Sequence, residues 1–379
     1  MSLDSLAQAF SETARPFPEA SNLPGQVYCD PEVFAREAER LFGKMWLCVG
    51  HHSCLSAPGE VRGIAIGAES VILTIDQQGQ RHAFYNVCRH RGARLIPAAA
   101  EKKCQSIVCP YHSWAYGLDG KLQAAPMMNG TQNFSRADFP LLRVRLEEYR
   151  GFLFINLDEQ AKPVADEFSD FPDLSAYQLS DLVRVARHEY DVAANWKLIC
   201  ENYSECYHCQ AMHPQLHRVS SVKPGENLGM HVGANYNGGP MSLNEGCNVT
   251  SQSGQTNRPP FPNLPADERR LIHYFNLHPN LLLALSADNV MTHYLWPIDA
   301  DNVHVQTEWF YLPEVAALPD FDPSDVVDFW DLTNRQDWAL CENVQRGIQS
   351  RGQRPGPYQS GEGCVHAFDR WYVDRLRLA

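Results

Sequence analysis

The 379-residue sequence predicts an α+β protein built in two parts. Between Leu47 and about Asn156, short β-rich runs are broken by Gly, Pro and Asp-Gly turns, the pattern of a small all-β unit. Beyond Asp173, helical stretches alternate with strand-like ones, the pattern of a mixed unit. The composition, 44% apolar and 20% charged, is ordinary for a globular chain and excludes disordered and fibrous classes.

Each element has its own reason. Residues 1–25 are polar, carry Pro16, Pro18 and Pro24, and read as an arm. Pro31 to Trp46 reads as a helix, because Val33, Ala38, Leu41 and Met45 recur at helical spacing and Pro31 stands near its start. Strands are expected at Glu69–Asp76, Ala83–Cys88 and Gly151–Leu157, with a turn at Asp119-Gly120. A polar, Pro-containing stretch over 158–173 reads as a linker. In the second part, helices are expected over Asn195–His213 and Asp325–Ser350, and strands over Leu281–Leu285 and Val303–Tyr311. Residues 225–264 are rich in Gly, Asn and Pro and read as long loops over a site.

Charge and hydropathy narrow the function classes. A net charge of −13 argues against a general nucleic-acid or anionic-membrane binder. No apolar run approaches the ~20 residues that cross a bilayer. The first 16 residues show no basic segment followed by an apolar one, so no signal peptide is expected and the location reads as cytoplasmic. In a reducing compartment the 12 cysteines are expected as free thiols or metal ligands rather than disulfides.

Two clusters of residue types carry chemistry. The first is Cys88-x-His90 followed, 18 residues later, by Cys109-x-x-His112. Two tight mixed pairs on separate loops suit a clamp. Two Cys and two His can hold tetrahedral zinc, or a [2Fe–2S] cluster with both Cys on one iron and both His on the other. The mixed pairs, in a β-rich unit shaped by Gly92, Pro110 and Gly117, favour the cluster, because zinc fingers place a Cys pair before a helical His pair.

The second cluster is Glu205, His208 and His213 within NWKLICENYSECYHCQAMHP. Glu205 and His208 are i, i+3 and are expected on one helix face. His208 and His213 differ by five, a rotation of roughly 140° on a straight helix, so both reach one metal only if the helix is distorted or ends. Two imidazoles and one carboxylate form the facial triad of non-haem Fe(II) oxygenases. Among the acidic residues of 320–342, Asp337 is the expected third ligand. It heads the row Asp337, Cys341, Val344, Ile348, read as the apolar stripe, whereas Glu342, Gln345, Arg346 and Gln349 read as solvent-facing. Cys206 and Cys209, flanking His208, have a C-x-x-C spacing that by itself suggests redox or zinc chemistry; within an oxygenase motif they read as packing thiols.

With these motifs the chain resembles the catalytic α subunit of Rieske non-haem iron oxygenases over essentially its whole length. The resemblance implies an N-terminal arm and helix (1–45) packing on the catalytic domain. It implies an all-β Rieske [2Fe–2S] domain (46–158) and a helix-grip, START-type catalytic domain with an antiparallel sheet (159–379). Cys88, His90, Cys109 and His112 would hold the cluster, and His208, His213 and Asp337 the mononuclear Fe(II). High-potential Rieske proteins carry a further Cys pair and a serine donor at positions that here are Ala93, Tyr111 and Trp114, so a low-potential centre is expected. In the family an acidic residue before the first iron-binding His bridges to the cluster of the neighbouring subunit in a head-to-tail homotrimer. Glu205 stands there. Glutamate rather than aspartate is similar to the branch acting on glycine betaine, proline betaine and carnitine.

The implied activity is O2-dependent monooxygenation and N-demethylation of a small quaternary ammonium compound. Electrons would come from NAD(P)H through a separate flavin- or ferredoxin-type reductase. Hydroxylation or demethylation of an aromatic acid is the alternative. An electron carrier without an oxygenase site and a zinc-bound structural module are readings from other classes.

Overall fold

The computed structural model describes residues 10–17, 19–98, 100–220 and 230–377. The start of the expected arm and residues 225–229 of the expected loops lie outside the described residues. Phe42–Val164 is one compact unit, and the described residues before and after it form the other. The expected boundaries at 45/46 and 158/159 therefore fall a few residues inside those of the structure. Among the described residues no helix is long and apolar enough to cross a membrane.

The β unit opens with β1 (Leu47–His51), β2 (Glu60–Ile66), β3 (Glu69–Ile75), β4 (Arg81–Tyr85) and β5 (Glu101–Lys103). It closes with β9 (Arg143–Tyr149) and β10 (Phe152–Asn156). These seven strands form an antiparallel sheet in the order β1-β10-β9-β4-β3-β2-β5. Between β5 and β9 lie β6 (Ser106–Val108), β7 (Ala115–Gly117) and β8 (Leu122–Ala124), a separate three-stranded sheet. The predicted turn at Asp119-Gly120 joins β7 to β8. Gly120 has φ +84°, which a side chain would strain, and its N–H donates to Gly117 O at 2.9 Å.

The second unit contains β11 (Val183–Val192), β12 (His231–Val232), β13 (Tyr236–Ser242), β14 (Leu271–Leu277), β15 (Leu281–Leu285), β16 (Val290–Pro297) and β17 (Val303–Tyr311). They form an antiparallel sheet in the order β11-β17-β16-β15-β14-β13-β12. A one-turn helix (Gln26–Cys29) and then α1 (Pro31–Glu37) precede the β unit. Later come α2 (Trp196–Tyr203), α3 (Cys209–Met212), α4 (Pro214–Val219), α5 (Ser324–Ile348) and α6 (Gly363–Arg377). The sheet grips α5. Val326, Phe329 and Trp330 pack on Ile272, Ala284, Met291 and Trp309, whose burial removes apolar surface from water. The register sets two rows across the face gripping α5: Tyr274, Ala284, Met291, Trp309, Ala186, and then Asn276, Leu282, His293, Thr307, His188.

A buried carboxylate ties three helices together. Glu37 of α1 accepts from Lys197 Nζ (2.6 Å) and Trp196 Nε1 (2.8 Å) of α2 and from Tyr372 OH (2.6 Å) of α6. Lys197 also lies over the rings of Tyr28, Trp196 and Tyr372. This anchor fixes α2, and hence the start of the iron-site segment.

Several expectations are corrected. The helix from Pro31 ends early: it continues from Glu37 only as a π-turn over Ala38–Phe42 before β1 begins at Leu47. Within the Gly/Asn-rich stretch, Tyr236–Ser242 is a paired strand, because its glycines let the backbone lie close to β14; a Cβ on Gly238 would meet Tyr274 O at 2.0 Å. On α5, Gln345 is buried and Val344 is 46% exposed, the reverse of the expected stripe. The Gln345 amide accepts from Asn195 N–H and donates to Tyr28 O and Asp301, so its polar groups are satisfied inside.

Candidate active site

The two halves of the Cys/His motif sit on matching loops. Cys88 and His90 follow β4, and Cys109 and His112 join β6 to β7. In each loop the cysteine N–H donates five residues ahead, Cys88 to Ala93 O (2.9 Å) and Cys109 to Trp114 O (2.8 Å). Each cysteine carbonyl accepts from four residues ahead, from Gly92 (3.0 Å) and Ser113 (3.1 Å), both of which have positive φ. Cys88 and Cys109 are buried, and the His90 and His112 rings lie 4.7 Å apart. His90 Nδ1 is buried with no hydrogen-bond partner, a polar atom that a metal would satisfy. Burial also holds His90 neutral, helped by His112 and Arg91. Trp114 stacks on His90 at 4.8 Å, while His112 is exposed.

Tyr116 is a site residue the sequence did not mark. Its hydroxyl accepts from Arg89 N–H (3.0 Å) and lies 3.4 Å from Cys88 Sγ, to which it would donate once Cys88 is a cluster-bound thiolate.

The second site forms where a helix stops. The single helix expected over Asn195–His213 ends at Tyr203, then turns through 204–208 into α3 and α4. Glu205 is therefore in the turn and not on a helix face with His208. His213 is the junction of α3 and α4, and Pro214 at the start of α4 prevents a continuous helix. This break removes the rotation that a straight helix would impose. Asp337 arrives from α5. The ligand atoms of His208, His213 and Asp337 all lie within 4.8 Å of one another, and among the described residues no other His, Cys, Asp or Glu set does this. The four Cys and His residues of the β unit are thus not gathered as ligands of one zinc ion would be.

Both imidazoles aim Nε2 at the same oxygen. Asp337 Oδ1 is 2.8 Å from His213 Nε2 and 3.2 Å from His208 Nε2. Their Nδ1 atoms are engaged elsewhere: His208 Nδ1 is 2.5 Å from Glu205 Oε1, and His213 Nδ1 is 2.7 Å from Gln336 Oε1. A carboxylate only accepts, so His208 donates from Nδ1 and leaves Nε2 for a metal. Without a metal, burial works against a charged His208, but its hydrogen bonds to the Asp337 and Glu205 carboxylates and their negative charges outweigh it and push its pKa up to about 10. Burial likewise works against an ionised Asp337, and the two histidines hold it below the usual carboxylate range. A divalent cation held by His208, His213 and Asp337 would take the place of those protons, and both backing acceptors, Glu205 and Gln336, are already in place. The donor set fits iron(II).

Cys206 and Cys209, expected as packing thiols, are joined in a disulfide; the turn brings their Cα atoms to 4.9 Å, within disulfide range. A connected series of aromatic rings includes Trp330 and Trp338 of the helix that carries Asp337. The Tyr203 ring lies 5.8 Å from both Tyr274 and His293, Tyr274 lies 6.2 Å from Trp330, and His293 lies 5.8 Å from Trp338. His293 is neutral: burial depresses its pKa to about 4 despite Asp337.

A Cys/His-bearing β unit and a helix-grip unit with a two-His, one-carboxylate set define a class, the Rieske-type non-haem iron oxygenases. Residues 45–135 match the Rieske [2Fe-2S] domain, and residues 179–378 match the ring hydroxylating alpha subunit (catalytic domain). The chain belongs to this family of oxygenase α subunits. It is an oxidoreductase whose cofactors are a Rieske cluster and a mononuclear iron, supplied with electrons from NAD(P)H through a separate reductase. It is similar to the carnitine monooxygenase oxygenase subunit of Escherichia coli (strain K12), with 33% identity over 92% of this chain and 88% of that one. It is 31% identical to the glycine betaine monooxygenase oxygenase subunit of Chromohalobacter salexigens, over 94% and 86%. Among solved structures it resembles the quaternary ammonium Rieske monooxygenase CntA in complex with L-carnitine, with TM-score 0.78, 27% identity and coverage of 94% and 96%.

Proposed function

We propose that this chain oxygenates a small quaternary ammonium compound of the betaine or carnitine type, with Cys88, His90, Cys109 and His112 holding the cluster and His208, His213 and Asp337 the iron. The observation that carries the reading is the preformed two-His, one-carboxylate set; Tyr203, Tyr274, Trp330 and Trp338, a connected series of rings two of which share the helix bearing Asp337, are proposed as the wall that meets the substrate. A trimethylammonium group forms no hydrogen bonds and is held by π-faces, at about 0.5–2 kcal/mol per ring. The carnitine and glycine betaine monooxygenase oxygenase subunits to which the chain is similar support the same class.

When bound, the cluster supplies single electrons and the iron a place for O2. The chain's own residues orient and screen. The wall presents the C–H bonds next to the quaternary nitrogen and excludes water. Glu205 and Gln336 hold the two imidazoles with Nε2 inward. One oxygen atom converts a C–H beside nitrogen to C–OH and the other leaves as water, using two electrons and two protons. The hemiaminal then breaks its C–N bond, releasing an amine and an aldehyde, which is formaldehyde when an N-methyl group is attacked.

The assembly proposed is a head-to-tail homotrimer, because the cluster and iron residues belong to different units of the chain. Exposed His112 and the Glu205–His208 pair are the ends of the electron path between subunits. The reductase is proposed to be of flavin or ferredoxin type, and the location proposed is cytoplasmic.

The test is a binding comparison between glycine betaine and 3,3-dimethylbutanoate, its neutral-headed isostere. Two rings at the wall predict betaine tighter by about 5- to 1,000-fold. Equal affinities, or binding of aromatic acids alone, overturn the reading.

A further inference from the structure

We propose that Thr333, Gln215 and Gln336 form a directional hydrogen-bond relay that fixes which nitrogen of His213 faces the metal. The inference rests on the reading of His213 as an iron ligand. The relay starts at the backbone carbonyl of Phe329 on α5, which can only accept. Thr333 Oγ1 lies 2.9 Å from that carbonyl, so the hydroxyl proton is committed to it. The remaining role of Thr333 Oγ1 toward its next neighbour is acceptor. Gln215 Nε2, 3.2 Å away, is the donor.

The same Gln215 amide nitrogen is 2.7 Å from Gln336 Oε1 and donates its second proton there. An amide oxygen facing a donor is then the group that meets His213 Nδ1 at 2.7 Å. It accepts, so Nδ1 carries a proton, and Nε2, which donates to Asp337 Oδ1 at 2.8 Å in this structure, is the nitrogen whose lone pair a metal would take in place of that proton. Reversing His213 would require both glutamine amides to flip and the Thr333 hydroxyl to leave the Phe329 carbonyl. Thr333 and Gln215 are buried and His213 is 1% exposed, which keeps water from these three, while Gln336 is half-buried.

The two imidazoles are therefore backed differently, His208 by the carboxylate of Glu205 and His213 by a neutral amide chain. The relay orients His213 without placing a second uncompensated negative charge beside the site. Thr333, Gln215 and Gln336 act as positioning residues, since none of them contributes an atom to the metal set.

The test measures cobalt(II) affinity by calorimetry on full-length, cluster-loaded, iron-stripped protein. Gln336→Leu should weaken binding about 10- to 100-fold. Thr333→Val, which touches neither His213 nor the metal, should weaken it in the same direction, and Thr333→Ser should restore it. The double variant Gln336→Leu/Thr333→Val should be no weaker than Gln336→Leu alone, because one relay is cut once. Wild-type affinity in Thr333→Val with only a lowered Tm, or effects that multiply in the double variant, overturns the relay. His213→Ala serves as the control: if it leaves cobalt affinity unchanged, the ligand reading fails rather than the relay.

Discussion

Shortening Glu205 by one methylene tests the link between the two centres. Its Oε1 is 2.5 Å from His208 Nδ1, and the same carboxylate also accepts from the backbone N–H of Tyr207. Glu205→Asp withdraws the carboxylate by one C–C bond, ~1.5 Å, to about 4 Å from Nδ1, outside hydrogen-bond reach. A hydrogen bond to a charged group is worth about 1.5–3 kcal/mol, which corresponds to about 10- to 150-fold in rate if it operates in the rate-determining transfer. Glu205→Gln keeps the length and an acceptor oxygen but loses the charge, so its loss should be smaller than that of Glu205→Asp. Glu205→Ala should lose turnover. The assay is single turnover of protein with a pre-reduced cluster, monitored by cluster reoxidation, alongside iron content at saturating iron. Both metals should be retained in all three variants. Coupled turnover at the wild-type rate in Glu205→Asp or Glu205→Ala would refute the reasoning.

Other expectations follow from particular contacts. Removing one partner of the buried Glu37–Lys197 pair, as in Lys197→Met, leaves a carboxylate without its cation and should cost about 3–5 kcal/mol in a urea titration; replacing both partners should cost less. Tyr116→Phe deletes a donor to Cys88 sulfur and should move the cluster potential negative by about 20–65 mV, read by redox titration. His278 and His293 are buried neutral, with pKa values pushed down to about 3 and about 4 by desolvation. Their contribution is intact above pH ~6.5, where the unfolded chain is also neutral, and is lost as pH falls from there toward 3–4 because only the unfolded state takes up protons. Each histidine should cost up to ~1.4 kcal/mol per pH unit over that window, and His278→Phe should flatten the acid slope of a denaturation series.

What the sequence could disclose depended on how local the cause was. Cys88-x-His90 and Cys109-x-x-His112 were legible because each loop closes on itself within six residues. The strand Val303–Tyr311 and the helix expected from Asp325 were legible because their apolar periods are long. Asp337 was found, though on a stripe that misassigned Val344 and Gln345. Gln345 is buried through partners from Tyr28, Asn195 and Asp301, which no helical pattern records. The break after Tyr203 was foreseen only as a requirement of two histidines five apart, and Glu205 was placed on a helix that had already ended. Tyr116, Gln336 and Gln215 were invisible because their roles come from tertiary neighbours. The strand Tyr236–Ser242 was masked by glycines that elsewhere signal loops, and the Cys206–Cys209 pairing by the compartment argument.

The most direct test of the account pairs O2 uptake with aldehyde release across glycine betaine, proline betaine, carnitine and aromatic acids, using a surrogate reductase. The account predicts one aldehyde per O2 consumed with at least one of the quaternary ammonium compounds and none with aromatic acids. Coupled turnover of an aromatic acid alone would contradict it.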